Sequence, residues 1–192
     1  MRRKQSLCLL ALALIAATSA VQAGTFQQLD LERLVGNSAT ALEGEVLGVE
    51  SFWDSEGRII VTEATIQVTD RVYGKADSVV RVKTFGGTVG DYTIDAPGFP
   101  TFQKGERLFL FLRQDERDAG MLRVTGYQQG QFRIVTGLDK MESAVSAVDG
   151  DALLVQTGVQ GRLLPESLPL SELKSLVRLQ AAVLSVELNE AH

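Results

Sequence analysis

The sequence predicts a mainly β protein, either a sandwich or a small barrel, with a short N-terminal helix and an amphipathic C-terminal helix. Residues 60–72 alternate between apolar and polar side chains, which is typical of a long, half-buried strand. Seven short strand patterns separated by turn residues fit either architecture. Gly44 and Gly48 would let the strand predicted over Ala41–Phe52 bend, and a curved strand beside a very long one favours the barrel.

The first 23 residues have the layout of a secretory signal peptide. A basic start, Met1–Lys4, precedes the apolar run Leu7–Ala17, and Val21–Ala23 supplies small residues at the cleavage position. The alternative is a membrane anchor, which needs about 20 apolar residues to span a bilayer. We therefore expect cleavage after Ala23 and a secreted or periplasmic protein that does not insert into a membrane after the signal is removed.

Charge and cysteine content narrow the classes of function. Removing the signal peptide leaves 16 basic and 24 acidic groups, so the mature chain has a formal charge of −8. An acidic chain is repelled by phosphate backbones and anionic lipids, which argues against nucleic-acid binding and against a role at a membrane surface. Cys8, the only cysteine, is removed with the signal. A mature exported chain without cysteines is common among bacterial envelope proteins and unusual among animal secreted proteins.

The first part of the mature chain is predicted as one helix followed by strands. Apolar residues at mostly helical spacing predict a helix that starts at Thr25, as its cap, and stops at Gly36. The glycine-containing segment 54–58 predicts a hairpin connection between the first two strands. The run Leu108–Leu112 is apolar on both faces, so we expect it to be the most buried strand. Other strands are predicted over residues 78–84, 92–94, 121–125 and 131–135.

Residues 137–192 are predicted as a C-terminal extension with a different pattern. A strand is predicted over Ala152–Gln156, and Pro165–Pro169 is predicted as loop. Ser171 is the predicted cap of a helix that runs to about Leu184. We expect its apolar stripe to pack on the barrel; docking of a partner on that stripe is the alternative.

Four segments between Ala41 and Leu112 read ALEGEVLGV, TIQVTDRVYGK, VVRVKTFGG and FQKGERLFLFL. This succession resembles the netrin-like module, the OB-type barrel of tissue inhibitors of metalloproteinases and of several complement and extracellular-matrix proteins. Residues 72–75 stand where that family has a V-x-K-G-like turn, and residues 105–110 where it enters a buried strand. The chain also resembles uncharacterised secreted bacterial proteins, some associated with matrixin-type zinc peptidases.

The resemblance implies an OB-like barrel domain over residues 24–136, matched well over 40–112 and loosely over 121–135. Such barrels host many unrelated activities, so the resemblance is more informative about fold than about function. The metalloproteinase inhibitors begin with a cysteine whose amino group and carbonyl reach the catalytic zinc, and this chain has no such cysteine. The resemblance therefore does not imply this inhibitory mechanism for the present chain. It implies only that one end of the barrel, with its loops, binds a protein.

The sequence lacks known catalytic constellations. His192, the only histidine, is the last residue, where a frayed terminus cannot hold a general base in place. Ser171 and Lys174 form a Ser-x-x-Lys pair without its partner motifs. The glycine-rich segment 85–91 has neither a phosphate-loop lysine nor a following helix, so we interpret it as a strand connection. We expect no enzymatic activity and no cofactor.

Two acidic turns are possible calcium ligands. They contain Asp54 with Glu56, and Asp91 with Asp95. Calcium takes about six to eight oxygen ligands, and neither turn has the spacing of a known calcium loop. We expect solvated turn residues and no metal site.

Aromatic residues beside the loops are the best candidates for partner binding. Phe52 and Trp53 lead into the first hairpin turn, and Phe99 and Phe102 flank prolines in a later loop. Such rings dominate contact energies at interfaces, although they can equally plug a barrel end. In an OB-type barrel the two loops can lie at the same end. The candidate partner-binding residues are Phe52, Trp53, Asp54, Tyr92, Phe99 and Phe102.

The leading hypothesis is an exported, non-enzymatic protein-binding module. It would engage a secreted or envelope protein, such as a secreted zinc peptidase, through residues 52–58 and 86–102. The alternative is a structural or self-associating envelope protein without a specific ligand, in which the C-terminal helix forms the seam between copies.

Overall fold

The structure, a computed structural model, describes residues 24–148, 152–155 and 161–190. The predicted signal peptide, residues 1–23, lies outside them. The strands are β1 (Gly24–Gln27), β2 (Thr40–Trp53), β3 (Ile60–Gly74), β4 (Val79–Phe85), β5 (Gly87–Val89), β6 (Tyr92–Ile94), β7 (Arg107–Gln114), β8 (Leu122–Val124), β9 (Gln131–Thr136), β10 (Glu142–Ser146), β11 (Ala152–Val155) and β12 (Ser167–Pro169). The helical segments are α1 (Leu31–Gly36), a 3₁₀ turn (Tyr127–Gly130) and α2 (Leu170–Glu190).

Five strands close into a barrel, which confirms the mainly β, OB-like prediction. β2 pairs with β3 and β7, β3 pairs with β4, and β8 joins β4 in parallel and β7 in antiparallel fashion. Numbered along the chain, the barrel strands follow the order 1-2-3-5-4-1, which fits an OB-like barrel. The β4–β8 seam rests on a single bridge between Val82 and Leu122, so the barrel is least tightly closed there.

The bend predicted for β2 is confirmed. Its pairing with β3 shifts register at three points, two of which adjoin Gly44 and Gly48. A Cβ atom on Gly44 would lie 2.6 Å from Cγ2 of Ile66 and 2.7 Å from the carbonyl oxygen of Gln67. Only glycine permits this approach, and the resulting curvature lets one long strand serve two sides of the barrel.

Strand β7 separates two apolar cores. Leu108, Leu110 and Leu112 point into the barrel, whereas Phe109 and Phe111 face a second core formed with both helices and the outer strands. All five side chains are fully buried. The prediction of a strand buried on both faces is therefore confirmed, because side chains alternate across a strand and β7 has a core on each side.

The N-terminal helix is shorter than predicted. Residues 24–27 form β1, which pairs in parallel with β11. The cap of α1 is Asp30, whose Oδ1 accepts a hydrogen bond from the Arg33 N–H at 2.9 Å. The prediction of helix starting at Thr25 is wrong, because pairing with a strand that is distant in sequence overrides the local apolar spacing.

The C-terminal extension belongs to the same sheet as the barrel. Strands β9, β10 and β12 continue the sheet outward from β7, and β12 occupies residues that were predicted as loop. Helix α2 begins at Leu170, so Ser171 lies inside its first turn rather than before it, and the helix ends six residues beyond Leu184. Leu173 and Val177 of α2 are fully buried against α1 and the outer strands.

Candidate functional site

The β2–β3 hairpin presents two neighbouring aromatic side chains, Phe52 and Trp53. The turn that follows them is built on Asp54, whose Oδ1 accepts hydrogen bonds from the backbone N–H groups of Arg58 at 2.7 Å and Ile59 at 3.1 Å. These two backbone bonds lower the pKa of Asp54. The structure therefore gives this carboxylate a role in the turn, which fixes the direction of the rings beside it.

A second hairpin, β5–β6, lies against the end of the first. A Cβ atom on Gly87 would lie 2.3 Å from Oγ1 of Thr62 and 2.5 Å from Oγ of Ser51, and Gly87 has a φ of +128°. Glycine is required here on both counts. This close approach carries Tyr92 to Trp53, with the two ring centroids 5.8 Å apart in an edge-to-face arrangement. The first hairpin thus meets the β5–β6 hairpin, and not the segment that holds Phe99 and Phe102.

We call Trp53 and Tyr92 the aromatic platform; the ring of Phe52, the preceding residue of β2, points to the opposite face of the strand. Tyr92 is 66 % exposed, Trp53 37 % and Phe52 36 %. The other two predicted aromatic residues lie elsewhere: Phe102 is buried in the barrel core, and Phe99 packs in a separate aromatic cluster. Of the six candidates, Trp53 and Tyr92 thus form one exposed surface and Asp54 supports the turn beside it, whereas Phe52 is exposed on the other face of β2.

A pocket of about 220 Å³ opens at the β4–β8 seam of the barrel. Its walls are the end of β4, the loop before β7, the β7–β8 turn, β8 and the 3₁₀ turn. We call it the seam pocket and define it by Lys83, Thr84, Phe85, Phe99, Arg117, Arg123 and Tyr127. It exists because only one bridge joins β4 to β8, which leaves the ends of these strands apart.

Aromatic rings form the apolar wall of the seam pocket. Phe99 lies edge-on to Phe85 and to Tyr127, with centroid distances of 5.2 and 4.9 Å. Phe26 of β1 packs against Tyr127, with the two ring centroids 4.6 Å apart. The guanidinium carbon of Arg123 lies 4.9 Å from the centroid of Phe85. Edge-to-face packing and the cation–π contact both fix these side chains in place.

Charged groups line the pocket beside these rings. Asp115 is buried. Its Oδ1 accepts a hydrogen bond from the backbone N–H of Arg117 at 2.8 Å, and its Oδ2 accepts one from Nε of Arg123. Burial raises the pKa of Asp115, but these hydrogen bonds outweigh it and hold the pKa below its usual value. Asp115 therefore stays ionised and is neutralised by Arg123. Among the described residues, the side chains of Lys83 and Arg117 have no ion-pair partner.

The backbone of Thr84 runs along the seam pocket, but its side chain points into the barrel on the same face of β4 as Val80 and Val82. Its Oγ1 is buried and makes no hydrogen bond to any residue that the structure describes. A buried hydroxyl without a partner is unfavourable by about 1–3 kcal/mol.

Lys83 connects the seam pocket to Phe52. Its Nζ lies 6.0 Å from the ring centroid of Phe52, and the same side chain lines the pocket. The exposed ring of Phe52 therefore adjoins the pocket, on the face of β2 opposite Trp53.

The sequence interpretation did not include the charged and aromatic residues of the seam pocket other than Phe99. Phe85, Asp115, Arg123 and Tyr127 are spread over three loops and strand ends, and only the strand order brings them together. No local spacing in the sequence indicates such a site.

Metal ligation and family relationships add no further site. In residues 24–148, 152–155 and 161–190, no three His, Cys, Asp or Glu side chains come together in a way that could hold a metal ion. Neither described helix that exceeds one turn is long and apolar enough to cross a membrane. No protein-family model matches this chain, and no curated protein matches it.

Proposed function

We propose that this protein is an exported, non-enzymatic protein-binding module whose partner docks on the aromatic platform. The contact between Trp53 and Tyr92 carries the proposal, because two large exposed rings from separate hairpins are held together at one barrel end. Tryptophan and tyrosine are enriched at protein interfaces and supply much of their binding energy.

The construction of the platform supports a binding role. Gly87 and the Asp54 turn position the rings on rigid strand ends, so little conformational entropy is lost when a partner covers them. OB-like barrels bind ligands with their strand faces and adjoining loops, which agrees with the location of the platform. The fold alone does not specify the ligand.

The partner proposed for the first test is a secreted zinc peptidase. This choice rests on the resemblance of residues 41–112 to netrin-like modules. Those modules are OB-type barrels, and the OB-like barrel of this chain agrees with that fold. Because the inhibitors' zinc-binding cysteine has no counterpart here, the contact is proposed to be a grip on the peptidase surface rather than ligation of its zinc. Export itself rests on the signal-peptide pattern of residues 1–23.

Affinity capture with the mature protein tests the proposal. We expect one saturable partner among the secreted and envelope proteins of the source organism, and we expect Trp53→Ala and Tyr92→Ala to weaken its binding at least tenfold. Leu138→Ala is the matched control, since Leu138 is fully exposed on the β9–β10 hairpin and lies outside the platform. Unchanged capture by both platform variants would sink the proposal. Purified zinc peptidase then shows whether the domain binds it and slows it.

Self-association through α2 is a second candidate function, favoured by a specific observation. One face of α2 packs on the fold, yet Leu179, Val183 and Val186 are exposed and recur at helical spacing. Deleting the helix is an unsuitable test because it would also remove the buried Leu173 and Val177.

A surface variant tests self-association without this complication. If the stripe joins two copies, replacing Leu179, Val183 and Val186 by serine should convert a dimer to a monomer in light scattering. Replacing the exposed Val135, Leu138 and Met141 of the β9–β10 hairpin is the matched control. A wild-type protein that is already monomeric at high concentration excludes this candidate.

A further inference from the structure

We propose that the seam pocket binds the carboxyl end of a polypeptide that terminates in an aromatic or large apolar residue. The inference deepens the proposed function, on which it rests for the choice of a polypeptide as ligand. Four observations support it: local charge, the pocket's size, the apolar and cationic lining, and continuity with the exposed ring of Phe52.

The charge of the lining favours an anion. The pocket is lined by four basic side chains and two acidic ones, in a chain whose formal net charge is −5. Asp115 is already neutralised by Arg123, and the exposed Glu116 lies 3.5 Å from Arg113. Lys83 and Arg117 therefore remain available for a bound carboxylate. Arginine binds carboxylates through charge-assisted and often paired hydrogen bonds.

The size of the pocket favours a single residue. Sites for cofactors and drug-sized molecules have volumes of about 300–1,000 Å³, and this pocket has about 220 Å³. An internal residue of a partner would also need room for the chain on both sides of it. A terminal residue enters once and presents its carboxylate and its side chain from the same Cα atom.

The composition of the lining matches the two parts of a terminal residue. Phe85, Phe99 and Tyr127 offer apolar rings to the side chain, and Lys83 and Arg117 offer cations to the carboxylate. One bound residue would thus contact both the cations and the rings.

Continuity with the exposed ring of Phe52 indicates how the rest of the chain would run. Lys83 lies between the seam pocket and Phe52. A polypeptide whose last residue occupies the pocket can therefore extend past Lys83 and contact the exposed ring of Phe52. A small free acid would fill the pocket but would gain nothing from that ring.

Binding of short peptides to the purified mature protein tests the inference. The probe is an N-acetylated Gly-Ser-Gly-Ser-Gly-Phe peptide with a free carboxyl end, compared with the same peptide as its C-terminal amide. We expect the amide to bind about tenfold more weakly, because it loses the charge-assisted hydrogen bonds. A peptide that ends in serine should also bind more weakly, because it leaves the aromatic wall empty.

Variants of the protein locate the binding. Lys83→Gln and Arg117→Gln should each weaken binding of the free-carboxyl peptide several-fold, and the unfolding transition of each variant shows that it is folded. Lys104→Gln is the matched control, since Lys104 is exposed and does not line the pocket. Equal affinity for acid and amide, no saturable binding, or binding that both pocket variants leave unchanged overturns the inference.

Two further outcomes distinguish this inference from binding of a small free acid and from the proposed function. Binding of N-acetylphenylalanine without binding of the peptide would assign the pocket to a small free acid and overturn the polypeptide assignment. If the peptides fail to bind while Trp53→Ala still abolishes partner capture, only the pocket assignment fails and the proposed function stands. If capture also fails, both fall.

Discussion

Glu43 on β2 and Lys174 on α2 form a salt bridge between positions 131 residues apart, with 2.5 Å between Oε2 of the glutamate and Nζ of the lysine. Arg107 on β7 donates a hydrogen bond to Oε1, the other carboxylate oxygen of Glu43, and Nζ of Lys174 lies 2.9 Å from Oδ2 of Asp70. Burial raises the pKa of Glu43, but the hydrogen bonds from Lys174 and Arg107 outweigh it and hold the pKa below its usual value. The pair ties the C-terminal helix to the barrel.

Removing Lys174 should destabilise the protein. Breaking an isolated buried pair costs about 3–5 kcal/mol, and we expect Lys174→Met to lower the free energy of unfolding by about 2 kcal/mol because Arg107 still binds Glu43. The double variant with Glu43→Gln should lose less than the two single variants together, since no buried charge is left alone. Urea unfolding measures all four proteins, and strictly additive losses would contradict the linkage.

The same groups predict how stability depends on pH at the acidic end. The pKa of Glu43 is lowered from 4.5 and that of Asp115 from 3.8 in the folded protein, so the unfolded chain binds more protons at low pH. Their contribution is therefore complete above these ordinary values and is lost as the pH falls through the lowered ones. We expect the urea midpoint of the wild-type protein to decrease as the pH is lowered below 4.5, and to decrease less in Glu43→Gln. A midpoint that stays constant to pH 3 would contradict this.

Lys174 predicts a loss of stability at the alkaline end. Burial lowers the pKa of Lys174, but hydrogen bonds to Glu43 and Asp70 outweigh it and raise the pKa above 10.5. Its contribution is present below 10.5 and is lost as the pH rises through the raised value. Wild-type urea midpoints should therefore decline above pH 10.5 more steeply than those of Lys174→Met. Parallel curves would show that Lys174 is not the responsible group.

Thr84→Val should stabilise the protein. The substitution keeps the shape of the side chain and removes a buried hydroxyl without a described partner. We expect the free energy of unfolding to rise by about 1 kcal/mol, as measured by urea unfolding. Thr125→Val is the contrasting control: the hydroxyl of Thr125 is hydrogen-bonded to Ser38 at 2.8 Å, so its removal should destabilise. Equal losses in both variants would contradict the assignment of Thr84.

The only tryptophan of the chain, Trp53, makes the platform directly observable. Because Tyr92 covers one side of it, Tyr92→Ala should shift the fluorescence emission of Trp53 to longer wavelength. Gly87→Ala should do the same, since a Cβ atom there would displace the β5–β6 hairpin from Thr62 and Ser51. The substitution Gly48→Ala adds a Cβ atom in open space at a position without a positive φ and serves as control. Emission that none of these changes moves would contradict the Trp53–Tyr92 contact.

Local patterns were sufficient for the strands with regular alternation and for two special features. The long strand β3, the doubly buried β7 and the bend at Gly44 were all predicted, because each has a signature within a few neighbouring residues. The first turn of the predicted N-terminal helix failed for the opposite reason: β1 exists through its partner β11, which local spacing cannot reveal.

The sequence by itself determined that the fold is mainly β, where the long strands run and that aromatic side chains flank the first hairpin turn. These follow from side-chain periodicity and from the conformational needs of glycine, both of which act over a few residues. The tertiary structure decided the rest: the meeting of Trp53 with Tyr92, the link from Glu43 to Lys174 and the seam pocket. Each joins groups far apart in the chain, and only the strand order and barrel closure set such distances.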